Sequence, residues 1–322
     1  MSRPRSRAWR WFFASGLLLV GAALVVVAWL LRDPEPYFLS RRSVLLTVDT
    51  MPSRIDETAR EQEVTVHGAN GLSVSLAVRR PLDSDPGLAA DTARRHLYVL
   101  LGGQSRGKDA GALVGDTRGN VFASIEYPYD GNARANGMAL VREVPAIRRA
   151  FLDTPPSVML ALDYLLTLPD VDTAHVELVG ASFGAPFATI VAALDPRVTR
   201  LWLAHGGGES YRLLERGLER RIGWAPLRAL TAGTANLVVS GPRLSPEKWI
   251  ARVAPRPVVM LNADDDERIP RRSVDALWNA AREPKQMVWL PGLHLHAGRP
   301  ETLEELVVRM FAIAGQDSVR TP

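Results

Sequence analysis

The chain has no cysteine among its 322 residues. That excludes a disulfide framework, a thiolate metal site and a cysteine nucleophile. It also lacks the excess positive charge that a nucleic-acid binder needs. The formal net charge is +4, yet Arg3, Arg5, Arg7, Arg10 and Arg32 all precede the first acid, Asp33. Removing those five from 39 basic residues leaves 34 against 35 acids, so the remainder is near neutral. A body of that balance carries no footprint for a phosphate backbone, and no nucleic-acid partner is expected. Internal repeats and low-complexity stretches are missing too, which excludes solenoid and tail-like organisation.

What is present begins with WFFASGLLLVGAALVVVAWLL, Trp11 to Leu31, 21 residues without a charge. At helical rise it spans about 30 Å, the thickness of bilayer hydrocarbon. The preceding arginines place the N-terminus on the cytoplasmic side and the body across the membrane. Residues 1–32 are therefore expected to be a basic cytoplasmic tail and single-pass membrane anchor, with the body outside the cytoplasm. A cleaved signal peptide leading to secretion is the alternative. Its one small-residue site, Val26-x-Ala28, lies inside the apolar run, which favours the anchor.

Residues 33–62 read as a linker and leading segment, with Pro34 and Pro36 at its start. The stretch 63–81 alternates apolar and polar residues around a glycine-containing turn, a β-hairpin pattern. Apolar strands are then expected at 96–103, 120–128, 175–179, 197–205, 256–264 and 285–292, separated by helical stretches. This alternation predicts an α/β fold: a mostly parallel sheet, helices on both faces, made mixed by its antiparallel hairpin. The span 209–250 is too long for a plain connection and is expected to be a cap insertion. Within it Tyr211, Leu214, Leu218 and Ile222 recur at helical spacing, as either a covering helix or a lid. Trp224, Leu230 and Trp249 are candidates for lining an acyl pocket.

Chemistry concentrates at the ends of the expected strands, where open α/β sheets hold their ligands. GASFG, Gly180 to Gly184, joins a strand to the helix APFATIVAAL and presents Ser182 on a tight turn; the dull alternative for this serine is a helix N-cap. Three aspartates, 264 to 266, follow one later strand, and His294 and His296 follow the last. A serine hydroxyl needs a base to take its proton, and that base needs a carboxylate to fix its tautomer. His67, His96 and His175 fall in or at the start of strands and are assigned structural roles. His205 ends a strand before three glycines and is a candidate site-lining residue.

The motifs GASFGAPFA, NADDDERIP, LPGLHLH and LLGGQ together resemble the α/β-hydrolase superfamily, in a serine-esterase layout close to that of dienelactone hydrolases and acyl esterases. The resemblance runs from about Glu63 to the C-terminus, residues 63–322, in the order serine, acid, histidine. It implies Ser182 as nucleophile, Asp266 as acid from its spacing to Ile269–Pro270, and His294 as base. Asp264, Asp265 and Glu209 stay open for the acid and His296 for the base. It further implies an oxyanion hole from the backbone amides of Phe183 and of Gly103 or Gln104. The expected activity is hydrolysis of a small-molecule carboxylic ester through an acyl-enzyme, with no cofactor and no metal. Amide or peptide hydrolysis, acyl transfer, or a non-catalytic binding module at the membrane are the other outcomes of such a fold. Oligomeric state is not legible.

Overall fold

A computed structural model describes residues 34–82, 94–103, 106–132, 134–296 and 298–320, with scattered positions between 11 and 28. Among the described residues, ten strands form one sheet: β1 (Leu45–Thr50), β2 (Arg54–Ile55), β3 (Arg60–Gly68), β4 (Ser73–Arg80), β5 (Arg95–Leu101), β6 (Val121–Ile125), β7 (Val171–Ala181), β8 (Arg200–Ala204), β9 (Val258–Ala263) and β10 (Lys285–Leu290). Their spatial order is β1-β3-β4-β6-β5-β7-β8-β9-β10, with β2 alongside β3. Pairing is antiparallel from β1 through β4 to β6 and parallel from β6 through β5 to β10. The parallel strands are short apolar runs because they are covered on both faces.

Alternation along β5 shows how the two layers are assigned. Leu97, Val99 and Leu101 enter a core with α2 (Gly137–Leu165) and α3 (Ala185–Leu194), through residues such as Met159, Leu160 and Ile190. Tyr98 and Leu100 point the other way, into a second core with Phe122, Trp202 and Leu261. That face is closed by α8 (Pro300–Arg320), through Leu306, Met310 and Ile313.

One expectation needs correction. Residues read as linker form a helix, α1 (Glu35–Arg41), whose Phe38 is fully buried edge-on against Trp249 at 5.6 Å. The segment after it adds β1 and β2 to the sheet, so the packed unit starts well before Glu63. Proline at the first turn of α1 is compatible with helix because the N–H it lacks has no intrahelical partner there. The expected membrane helix, 11–31, is described at 11, 13–18, 20–22, 24, 25 and 28, all helical, and its other positions lie outside the described residues. Among the described residues, no helix is long and apolar enough to cross a membrane.

The span 209–250 holds α4 (Ser210–Leu218), α5 (Ala225–Val238) and α6 (Gly241–Leu244), then a short 3₁₀ turn, Pro246–Lys248. Its apolar side packs α4 against α5. Trp249 belongs to the core, while Trp224 and Leu230 are each 68% exposed. The last helices are α7 (Arg271–Ala280), between β9 and β10, and α8.

Candidate active site

Because β5, β7, β8, β9 and β10 run parallel, the residues that follow them gather at one sheet edge. Ser182 comes directly after β7 and holds a left-handed backbone, φ 51°. Few non-glycine residues adopt it, and at a functional turn it stores strain. The two flanking glycines meet a steric demand. A Cβ on Gly184 would lie 2.0 Å from the Leu101 carbonyl oxygen, and one on Gly180 would lie 2.6 Å from the Ala188 Cβ. The turn can therefore wedge between β5 and α3 only without those side chains.

Ser182 Oγ donates to His294 Nε2 at 2.8 Å. On its other side, His294 Nδ1 donates to Asp266 Oδ2 at 2.8 Å and Oδ1 at 3.0 Å. His294 is 1% exposed. Its backbone is held by Glu267, which accepts from its N–H at 2.7 Å, and by Arg299, which donates to its carbonyl at 2.6 Å. Asp266 also accepts from the backbone N–H groups of Arg268 and Ile269, at 2.9 and 2.8 Å. Burial pushes its carboxyl up, but hydrogen bonds from His205, His294 and the Ile269 amide outweigh that and hold it well below the usual carboxylate range.

The other candidates sit elsewhere. Asp264 accepts from the Gly292 amide at 2.8 Å, and Asp265 is exposed. Glu209 pairs with Arg212 at 3.0 Å and Arg272 at 3.5 Å. His296 is exposed and accepts from the Gly298 amide at 3.0 Å. His67 pairs with Asp49 at 3.0 Å, and His96 stacks on His175 at 4.1 Å.

His205 is more deeply involved than a residue lining the site. It is fully buried, with φ 50°, and its Nδ1 lies 3.2 Å from Asp266 Oδ2. The Leu295 N–H points at the same nitrogen from 3.3 Å, and Nε2 is buried without a partner among the described residues. One nitrogen cannot both donate and accept here. A proton on Nδ1 makes a charge-assisted bond to the carboxylate, the stronger of the two arrangements. The aspartate thus joins two imidazoles, whose rings meet edge to face at 5.2 Å.

Of the expected oxyanion donors, Phe183 and Gly103 line the same cavity as Ser182, and Gln104 lies outside the described residues. Tyr127, which gave no sequence signal, donates its hydroxyl to the Gly102 carbonyl at 2.5 Å. A peptide group is planar, so this bond fixes the direction of the Gly103 N–H.

No family model matches the chain. A curated relative, the uncharacterized protein YfhR of Salmonella typhi, is 29% identical over 144 residues, which is 42% of this chain and 46% of that protein. The chain therefore aligns with about half the length of the curated relatives it matches. Its fold is shared with solved structures over most of the chain. An acetyl xylan esterase from Paenibacillus sp. R4 superposes with TM-score 0.61 at 14% identity, over 86% of this chain and 94% of that one. Acetyl xylan esterase 1 from Thermoanaerobacterium sp. JW/SL YS485 gives 0.57 at 15% identity, over 87% and 94%. A cold-adapted esterase from an Arctic intertidal metagenomic library gives 0.54 at 18% identity, over 82% and 99%.

The chain has the α/β-hydrolase fold.

In this α/β-hydrolase frame the strand ends surround a cavity of about 600 Å³ lined by Ser182, Phe183 and His294. No residue of 209–250 lines it, so Trp224, Leu230 and Trp249 do not form an acyl pocket. The wall opposite the sheet comes instead from α8, through Leu303, Leu306, Val307, Met310 and Phe311. Among the described residues, two groups have metal-ligating atoms within 4.8 Å of one another: His205, Asp266 and His294, and His96, Asp172 and His175. In the first, both nitrogens of His294 already face Ser182 and Asp266. In the second, the rings of His96 and His175 are parallel within 2°, so their in-plane lone pairs run side by side and do not converge.

Proposed function

We propose that this protein is a serine hydrolase acting on carboxylic esters. The observation that carries the reading is the unbroken hydrogen-bonded line from Ser182 Oγ through the His294 imidazole to the Asp266 carboxylate. In the proposed reaction Ser182 Oγ attacks the ester carbonyl while His294 Nε2 takes its proton, and Asp266 stabilises the imidazolium. The negative oxygen of the tetrahedral intermediate faces the Phe183 and Gly103 amides, assisted by the positive end of α3. His294 returns the proton to the leaving alcohol, and an acyl-serine forms. Water, deprotonated by the same imidazole, then releases the acid and restores the hydroxyl. Side chains and backbone amides present here supply nucleophile, base and electrophile. The esterase names of the structural neighbours support the same reaction class.

The test is a fluorophosphonate probe and short p-nitrophenyl esters, applied to wild type and Ser182→Ala. Wild type should label and turn over, and the variant should lose labelling together with at least a thousandfold in kcat/KM. Labelling that survives the substitution would remove Ser182 as nucleophile; a folded wild type that does neither is a binding module. We also propose that residues 11–31 anchor the body to a membrane, on the strength of the uncharged run and the arginines before it. Removing residues 1–32 should then leave a soluble active enzyme, whereas pelleting with membranes after truncation would show a second contact.

A further inference from the structure

The cavity beside Ser182 is far larger than a small acyl group requires. At about 30 Å³ for each water-sized group, the three heavy atoms of an acetyl occupy about 90 Å³, roughly one sixth of the 600 Å³ present. The walls show what the rest suits. One wall is the sheet face that carries Tyr98, Leu100, Phe122 and Val179; the other is the buried side of α8, with Leu306 and Met310. Both surfaces belong to one buried apolar cluster, and both line the cavity beside Ser182. Among the lining residues of those two walls, Tyr98 alone brings a side-chain oxygen.

Apart from Tyr98, the polar side chains among the described lining residues are Ser182 and His294 at the reacting end and the exposed Arg106, Arg268 and His296. A sugar or peptide placed between the walls would leave hydroxyls or amides without partners, at a cost that a hydrocarbon does not incur. A methylene chain gains from every group it buries there.

We infer that the substrate is an ester with one unbranched hydrocarbon arm of about eight carbons or more, held between the sheet and α8. This rests on the ester-hydrolase reading above. The arm is either the acyl chain or the alcohol, and two substrate series separate these. The first is p-nitrophenyl esters with acyl chains of two, four, six and eight carbons. The second is acetate esters of alcohols of the same lengths, followed by acid release. Each buried methylene raises kcat/KM by up to about fourfold. From two to eight carbons the rise should reach at least thirtyfold in one series, and that series identifies the arm.

Two substitutions at separate lining positions, Val114→Trp in the segment Gly107–Val114 and Leu306→Trp on α8, fill the space independently, so that one remains informative if the other fails to fold. Each should lower the ratio of eight-carbon to two-carbon kcat/KM at least tenfold. Turnover that is flat or falls with length in both series overturns this inference alone, as does an unchanged ratio in both folded variants. Absence of turnover on every ester, with no fluorophosphonate labelling, overturns the hydrolase reading and this inference with it.

Discussion

His205 makes the sharpest test of how the Asp266 carboxylate is held. Its Nδ1 lies 3.2 Å from Asp266 Oδ2, and Asp266 keeps three further partners: His294 and the amides of Arg268 and Ile269. Replacing His205 by alanine removes one charge-assisted hydrogen bond, of about 1.5–3 kcal/mol. If all of it is expressed in the transition state, kcat falls by about 10-fold to 150-fold. Asparagine at this position should restore most of the rate. Its amide nitrogen stands close to where Nδ1 was, and asparagine tolerates the left-handed backbone that His205 adopts. The assay is kcat on a p-nitrophenyl ester, with thermal denaturation confirming that each variant is folded. A loss for His205→Ala as large as that for His294→Ala would mean that His205 is itself the base. An asparagine variant as slow as the alanine one would mean that the ring's packing, and not its hydrogen bond, matters.

Three further outcomes are expected. His294→Ala should cost at least a thousandfold in kcat while His296→Ala costs less than tenfold, and equal mild losses would refute the assignment of the base. Gly184→Ala should lower the denaturation midpoint sharply, because the new methyl would meet the Leu101 backbone oxygen at 2.0 Å; a wild-type midpoint would show that the turn can shift. For Asp266 the folded carboxyl lies below its unfolded value of about 3.9. Its contribution to stability is therefore complete above that pH and lost as pH falls through the folded value. The difference in urea midpoint between wild type and Asp266→Asn should be constant above about pH 5 and shrink below about pH 4. A difference that does not change down to pH 2.5 would show that the carboxylate gains nothing from its partners.

Where the sequence could be read, local periodicity was the reason. Six apolar runs alternating with helical stretches predict β5 to β10, and the alternation in 63–81 predicts the hairpin of β3 and β4. The glycines of GASFG mark the turn at Ser182 because no side chain fits beside it. Residues 33–62 were less legible. Prolines at 34 and 36 suggest a linker, but the same prolines suit a first helical turn, and only packing of Phe38 on Trp249 distinguishes the two. The role of 209–250 was likewise undetermined, since an apolar stripe at helical spacing does not say what it packs against.

From Glu63 onward the sequence by itself determined the strands, their order, and the arrival of Ser182, Asp266 and His294 after the parallel strands β7, β9 and β10, since all three follow from residue period and turn chemistry. Tertiary structure decided which atoms meet. Asp266 was separated from its two neighbouring aspartates, and His294 from His296, by differences of one or two residues in direction that no composition encodes. His205, Tyr127 and the α8 wall entered the site through contacts spanning 61, 25 and more than a hundred residues of chain, at distances set by how the sheet and helices pack.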